Sequence, residues 1–217
     1  MSARSLRARV APLALAGLLA STPAAAGARD GLALTLGGLG GSSLPDSRLS
    51  DYQWNTGARV AWGAQARLER GRYATGARLW CSSTTQTMDL PSGPVSPRVG
   101  LTRLEWVGGG RVIAFGGAEL HLIGSAGWLH LAYHPDQVDI TPGPGTVRLA
   151  PVDEWIGGAG VALRRPLGAR WSLGLEVERE FFGLDAAHRS GSAIVYSRES
   201  LGEWGARLEL AKRFSIG

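Results

Sequence analysis

Hydrophobic and polar side chains alternate one by one along most of this sequence. In the clearest stretch, 53–68, Trp54 and Trp62 fall on one parity and Arg59 and Arg67 on the other. Successive side chains of a β-strand point to opposite faces, whereas a helix would mix the two sets. The stretch therefore predicts a long strand with one apolar face and one polar face.

The same alternation recurs along the chain, and the pattern as a whole predicts eight strands and no convincing helix. The strands are expected near residues 30–40, 52–68, 72–88, 97–107, 111–134, 152–165, 169–183 and 198–215. The fifth segment is too long for one plain strand, and Gly124 and Gly127 indicate a bulge or kink within it. Three side chains break the alternation, because Trp80 lies on a polar parity and Arg179 and Lys212 lie on apolar parities.

The connections between these strands alternate between short and long. Tight turns are expected at 69–71, 108–110 and 165–168, and longer connections rich in Ser, Pro, Gly and Asp at 41–51, 89–96, 135–151 and 184–197. Short turns at one end and long loops at the other are typical of barrels that cross the bacterial outer membrane. We therefore predict an all-β fold, a single up-and-down antiparallel transmembrane β-barrel of about eight strands with a polar, charged lumen.

The membrane setting decides which face points inward. The sequence has no run of 18 apolar residues, and without a spanning helix only a closed barrel can cross a bilayer. A charge facing lipid at the bilayer midplane costs about 2–4 kcal/mol, so the charged parity is expected to face the lumen. A soluble ligand-binding barrel of the lipocalin type would carry the opposite arrangement. Aromatic residues are expected to form two interfacial bands, with Trp54, Trp128, Trp155 and Phe181 towards the long loops and Tyr73, Trp106 and Trp171 towards the short turns.

The inward parity carries charges of both signs. They are Arg59, Arg67, Arg78, Arg103 and Arg207, with Glu105, Glu119, Glu176, Glu178, Glu180, Glu203 and Glu209. Buried ions are tolerated when they are paired, so we predict an Arg–Glu network that fills the lumen. An ion path, a proton path or a switchable plug are the functional interpretations of such a network, and a packed, satisfied interior is the structural one.

The N-terminus has the three parts of a secretory signal peptide. Arg4, Arg7 and Arg9 precede an apolar stretch at 10–20, and small residues precede Gly27. We therefore expect residues 1–26 to be removed and residues 27–217 to form one barrel domain. Removing three arginines lowers the formal charge from +5 to about +2, which leaves no basic cluster for nucleic acid. The single cysteine, Cys81, excludes an internal disulfide.

These features together resemble the small OmpA-like and OmpX-like outer-membrane barrel families. The resemblance covers nearly all of the chain after residue 26, although a terminal aromatic usual in such barrels is here Phe214, followed by three more residues. It implies a monomer in the outer membrane whose partners are outer-membrane lipid, lipopolysaccharide and the barrel-assembly machinery. It also implies a structural, envelope-integrity or loop-mediated binding role without catalysis. No catalytic, cofactor-binding or metal-binding residue is assigned.

Two alternative functions stay open at this point. His188 and Ser190, with Glu199 and Glu203 downstream, are similar to the His-x-Ser pair and later Glu of lipid A deacylases of the PagL type. The other alternative is a narrow pore or transport accessory, which would use the lumen charges.

The rim histidines His130 and His134 stand about 13 Å apart along a strand, too far to share a metal ion.

Overall fold

The computed structural model describes residues 31–90, 93–139, 145–190 and 193–216, with side chains of 186–197 excepted. The expected signal peptide, residues 1–26, lies outside the described residues. The strands are β1 (Ala33–Pro45), β2 (Arg59–Arg70), β3 (Tyr73–Thr85), β4 (Met88–Leu90), β5 (Gly93–Val95), β6 (Arg98–Phe115), β7 (Ala118–His134), β8 (Gln137–Asp139), β9 (Thr146–Arg148), β10 (Val152–Leu167), β11 (Trp171–Ser190) and β12 (Ala193–Ser215).

Eight of these strands form one closed antiparallel barrel in the order β1-β12-β11-β10-β7-β6-β3-β2. The barrel closes where β1 pairs with β12, from Ala33 opposite Ser215 to Pro45 opposite Glu203. The two short pairs, β4–β5 and β8–β9, are separate hairpins inside long connections. The prediction of an all-β, up-and-down, eight-stranded barrel is confirmed. We call its two ends the turn end and the loop end.

The barrel exterior is apolar and its interior is charged. Val60 and Trp62 on β2 are 83% and 65% exposed, while Arg59 and Arg67 on the same strand are buried. Trp128 and Trp155, outward residues of neighbouring strands, have ring centroids 4.4 Å apart. A closed ladder leaves no unpaired strand edge, and an apolar exterior matches lipid, so this architecture is that of a barrel that crosses a bilayer by its strands.

No helix in the described part of the chain is long and apolar enough to cross a membrane. The helical element that is present is a short 3-10 helix at the loop end, Ser47–Tyr52. The Asp46 side chain caps it by accepting a hydrogen bond from the backbone N–H of Arg48 at 3.1 Å. The backbone N–H of Asp46 donates to the carbonyl of Gly202 at 2.8 Å, which ties this segment to β12. We call residues 46–54 the cap segment.

The prediction of a turn at Gly108-Gly109-Gly110 is wrong. β6 continues through the three glycines, and the turn lies at Gly116 and Gly117, whose φ angles are +54° and +78°. A Cβ at Gly109 would lie 2.3 Å from the carbonyl oxygen of Leu122 on β7. The glycine is therefore required by close approach of two strands rather than by a turn. This shift divides the overlong fifth segment, and the register break lies between Arg111 and Ile113 rather than at Gly124 or Gly127.

The connection expected at 184–197 is also largely strand. β11 and β12 pair continuously from Leu184 opposite Glu199 to Ser190 opposite Ala193. At 20 and 23 residues they are the longest strands described, so this hairpin extends the barrel wall at the loop end. Serine, glycine and histidine suggested a loop here, but pairing with a neighbouring strand outweighs weak local preference.

The residues that break the alternation have clear physical explanations. Trp80 points inward and is fully buried, beneath the Arg207 guanidinium at 4.9 Å from its ring centroid. Arg179 and Lys212 stay on the apolar exterior, where each lies over aromatic rings. Arg179 is 5.4 Å from the ring of Trp204, and Lys212 is 5.7 Å from the ring of Trp171. Cation–π contacts and long aliphatic stems make such positions tolerable.

Candidate functional site: a charged tier below an apolar cavity

The interior of the barrel is divided into two tiers. The lower, charged tier occupies the middle and the turn end. In the described part of the chain its buried ions are six arginines, Arg59, Arg67, Arg78, Arg103, Arg164 and Arg207, and six glutamates, Glu105, Glu176, Glu178, Glu180, Glu203 and Glu209. Their formal charges cancel, and the predicted Arg–Glu network is confirmed. Glu119, also predicted to face inward, pairs with Arg111 at 2.7 Å near the turn end.

Arg78 is the centre of the charged tier. From β3 it donates to Glu105 Oε2 at 2.8 Å and, across the lumen, to Glu178 Oε2 on β11 at 2.5 Å. It also pairs with Glu176. Ser125 on β7 donates to the second oxygen of Glu178 at 2.5 Å. An arginine has five N–H donors in a fixed fork, and here they bind carboxylates from two walls at once.

Aromatic and aliphatic side chains fill the space beside these ions. Leu39, Ala61 and Trp80 form a buried apolar cluster on the β1–β3 side of the lumen. Arg207 lies over the indole of Trp80 and pairs with Glu178 at 2.6 Å and with Glu180. Eight strands enclose an interior that side chains can fill, and in this barrel they do so at mid-height.

Three carboxylates in this tier lie close enough together to hold a metal ion. Oxygens of Glu105, Glu178 and Glu180 lie within 4.8 Å of one another. Each of the three carboxylates, however, pairs with an arginine, either Arg78 or Arg207. Because arginine stays protonated, these negative charges are already compensated, and the group is explained by the ion-pair network.

The upper tier, at the loop end, is apolar. Inward side chains from five strands and the cap segment form one buried cluster. Its buried members are Leu49, Trp54, Val99, Leu101, Leu129, Leu131, Ile156, Phe182 and Leu201. Trp54 was expected on the lipid-facing exterior, and that prediction is wrong. Trp54 precedes β2, is 8% exposed, and packs into this cluster with Leu49.

A cavity of about 790 Å³ opens above the apolar tier. We call it the mouth cavity. It is lined by Leu49, Asp51, Tyr52, Gln53, Trp54, Gln86, Thr87, Met88, Leu131, Tyr133, Val152, Leu184, Asp185 and Leu201. The cap segment forms one side, the β3–β4 connection another, and β7, β10, β11 and β12 the rest.

Hydrogen bonds hold the polar part of the mouth cavity in place. The Tyr133 hydroxyl donates to Gln86 Oε1 at 2.8 Å, and Gln86 Nε2 donates to the carbonyl of Tyr52 at 3.3 Å. Gln53 Nε2 donates to Asp89 Oδ2 at 2.8 Å. Backbone bonds reinforce these contacts, since the N–H of Thr87 donates to the carbonyl of Gln53 at 2.9 Å. These hydrogen bonds join the cap segment to the β3–β4 connection, which is more than 30 residues away in sequence.

The charges around the mouth cavity are mainly negative. Among the described residues that line it, Asp51 and Asp185 are ionisable acids and none is basic. Arg198, nearby on β12, pairs with Asp185 at 3.1 Å and with Glu154. The pKa of Tyr52 is raised above its ordinary value, first by desolvation and then by the negative charge of Glu199.

Of the residues in the deacylase hypothesis, Glu203 lies well along β12 from Val195, the residue that pairs with His188. The backbone of His188 and Ser190 belongs to β11, and their side chains lie outside the described residues. Glu203 is fully buried in the charged tier, where it accepts from Arg103 at 2.6 Å. At the rim, the Nδ1 atom of His130 lies 2.7 Å from Asp153 Oδ1.

The apolar tier was missed by the sequence reasoning, although a signal for it exists. At the loop end both parities become apolar, as in Leu129 beside Trp128, Ile156 beside Trp155, and Phe182 beside Phe181. Trp128, Trp155 and Phe181 face outward, while Leu129, Ile156 and Phe182 face the interior. Neighbouring apolar residues within a strand therefore mark the height at which the interior ceases to be polar.

Comparison with known proteins gives remote likenesses among solved structures. No protein-family model matches the sequence, and no curated protein matches it. Neisserial surface protein A is 8% identical, with a TM-score of 0.49 over 84% of this chain and 97% of that one. A major outer membrane protein of Thermus thermophilus is 16% identical, with a TM-score of 0.47 over 84% and 99%. Ail of Yersinia pestis is 12% identical, with a TM-score of 0.42 over 85% and 99%.

Proposed function

We propose that this protein is a non-catalytic outer-membrane barrel with a sealed lumen, which binds a ligand or partner at its loop end. The observation that carries the proposal is the vertical division of the interior. Compensated charges fill the middle, and an open cavity lies above them. A barrel built this way has no passage through it but does have a shaped surface at one end.

The orientation follows from the physics of such barrels. Short turns face the periplasm and long connections face outside in outer-membrane barrels. On that basis the cap segment, the small hairpins and the extended β11–β12 hairpin lie outside the cell. The loop end is therefore the part available to ligands and partners, and the turn end contacts the periplasm.

Balanced charge supports a structural role for the charged tier. Ion pairs such as Arg78–Glu105 and Arg103–Glu203 leave no isolated charge that would attract one sign of ion. An Asp or Glu ring, or an Arg or Lys ring, is the usual device of a selective pore. In this barrel both signs meet at the same height, which favours cross-bracing over conduction.

Planar-bilayer recording tests the sealed lumen. The purified protein, inserted as a folded barrel, is expected to give no steady unitary currents in 1 M KCl. As a matched control, Arg78→Ala combined with Arg103→Ala removes two cross-lumen side chains and is expected to give measurable leakage if it folds. Steady single-channel currents from the unmodified protein, altered by these substitutions, would overturn the proposal in favour of the narrow pore.

Mass spectrometry of lipid A tests the deacylase alternative. Outer membranes from a host expressing the protein are compared with those from a host carrying an empty vector, after confirming that the protein is folded. The expected result is an identical set of acyl chains. Loss of an acyl chain that Ser190→Ala prevents would contradict the proposal and establish the deacylase.

A further inference from the structure

We infer that the mouth cavity is a binding site for a small, mostly apolar molecule that is neutral or positively charged. The inference deepens the proposed function, on which it rests, by naming the chemistry of a ligand for the loop end. It is carried by the volume of the cavity, by its hydrogen-bonded polar edge, and by the sign of the charges around it.

The volume and lining are those of a small-molecule site. Ligand pockets commonly measure about 300–1,000 Å³ and combine apolar walls with a few fixed polar groups. The mouth cavity, at about 790 Å³, lies within that range. Leu131, Val152 and Leu201 supply aliphatic wall, and Trp54 supplies an aromatic surface. Each Å² of apolar ligand surface buried in the cavity favours binding by about 25 cal/mol.

The polar edge is fixed before any ligand enters. The Tyr133 hydroxyl is held by Gln86, and Gln86 is itself held by the carbonyl of Tyr52. A side chain whose rotamer is already set costs less entropy on binding than a free one. Neutral amide and hydroxyl groups at this edge suit a hydroxyl, carbonyl or amine at one end of the ligand.

The charges select against anions. Asp51 and Asp185 line the cavity, and the described lining contains no cation. The nearby Arg198 pairs with both Asp185 and Glu154, so these three side chains together carry one net negative charge, to which Asp51 adds a second. An incoming carboxylate would therefore lose hydration and meet like charge, whereas an amine would meet opposite charge. The same argument disfavours fatty acids and phosphorylated lipids.

Met88 provides a local reporter for this site. The chain contains two methionines, Met1 and Met88, and Met88 lines the cavity. The full chain, labelled with ¹³C at the methionine methyl groups and placed in lipid nanodiscs, is titrated with three probes of one shape. The probes are 2-naphthalenemethanol, 2-naphthylmethylamine and 2-naphthoate, which are neutral, positive and negative. Ring currents make the methyl resonance sensitive to an aromatic ring beside it.

The expected result is a saturable shift of the Met88 methyl resonance with the alcohol and the amine. The carboxylate is expected to bind at least about tenfold more weakly, because like charges at short range oppose it. Asp51→Asn is expected to reduce the difference in affinity between the carboxylate and the other two probes. Val152→Trp, which fills the cavity from β10, is expected to abolish the shift. Leu184→Trp, on β11, repeats this test if the first variant does not fold.

Val161→Trp is the matched control. It makes the same substitution on the same strand but at an exposed position on the lipid-facing exterior, and it is expected to leave the titration unchanged. Absence of a saturable shift with all three probes would overturn the inference, as would equal shifts in Val152→Trp and the unmodified chain. Equal binding of the carboxylate would overturn the selection by charge. If the barrel binds none of the probes and gives no ion current, the binding inference fails while the sealed-lumen proposal stands. Failure of the inference can therefore be told apart from failure of the proposed function.

Discussion

Arg103 Nη2 donates a hydrogen bond to Glu203 Oε1 at 2.6 Å, and both side chains are buried. The two residues belong to β6 and β12, which lie four strands apart around the eight-stranded barrel and therefore on opposite walls. Arg78 on β3 and Glu178 on β11 are related in the same way. The lumen is thus braced across its diameter by ion pairs.

Breaking this brace on one side is predicted to destabilise the barrel. Arg103→Met leaves Glu203 buried with one remaining partner, Arg59 at 3.5 Å, and loss of one member of a buried pair costs about 3–5 kcal/mol. The free energy of unfolding in urea, measured in lipid vesicles by tryptophan fluorescence, reports this loss. The double variant Arg103→Met/Glu203→Gln restores the charge balance of the tier and keeps a hydrogen-bond acceptor beside Arg59, so it is expected to recover part of this loss.

Arg48→Met serves as the control for loss of a cation, because the Arg48 side chain is 56% exposed and pairs with Asp46 at the loop end, outside the charged tier. It is expected to leave the unfolding midpoint nearly unchanged, since exposed pairs contribute little. If Arg103→Met were equally harmless, the charged tier would not be bracing the barrel.

Two neighbouring glycines are predicted to differ sharply in their tolerance of a methyl group. A Cβ at Gly109 would lie 2.3 Å from the backbone oxygen of Leu122, whereas one at Gly108 would approach Thr75 Oγ1 no closer than 3.9 Å. Gly109→Ala is therefore expected to cost about 1–3 kcal/mol, as overpacking does. Gly108→Ala is expected to be neutral or slightly stabilising, because alanine restricts the unfolded chain. Unfolding in urea distinguishes them, and equal effects would contradict the packing explanation.

Much of the fold could be predicted because the two-residue period is a property of every strand that separates lipid from a polar lumen. In 53–68 that period separates Trp62 from Arg59 and Arg67 without ambiguity. Residue type alone predicted the positions of the turns less well, because glycine occurs both in turns and where two strands approach closely. Gly109 and Gly116 look alike in sequence, yet one is required by a neighbouring backbone and the other by a positive φ.

The candidate site was harder to predict because it depends on contacts between remote segments. Trp54 has the parity of an outward residue, but β2 begins only at Arg59, so strand parity does not apply to it. Its burial depends on Leu49 and on inward residues from other strands. A cavity is formed by the spaces between such segments, and periodicity within one segment carries no information on those spaces.

The cap segment is predicted to loosen in acid. Hydrogen bonds from Arg48 hold the pKa of Asp46 below its ordinary value. A carboxyl group whose pKa is lower in the folded state than in the unfolded state stabilises the fold fully at pH values above its unfolded-state pKa. This stabilisation is lost as the pH falls through the folded-state pKa. Amide hydrogen exchange in 46–54, corrected for intrinsic rates, is therefore expected to speed up below about pH 4. Asp46→Asn should abolish this pH dependence, and β7 amides provide the unaffected control.

Reagent access to the two tiers tests whether the lumen is sealed. In a Cys81→Ser background, which removes the single cysteine, Thr87→Cys places a thiol in the mouth cavity and Ala61→Cys places one in the buried mid-lumen cluster. A small cationic methanethiosulfonate reagent is added to the folded protein in nanodiscs. If the lumen is sealed, we expect rapid modification of the cysteine at 87 and none at 61 until the protein is unfolded. Rapid modification at both positions would show an open lumen and contradict the sealed-lumen proposal.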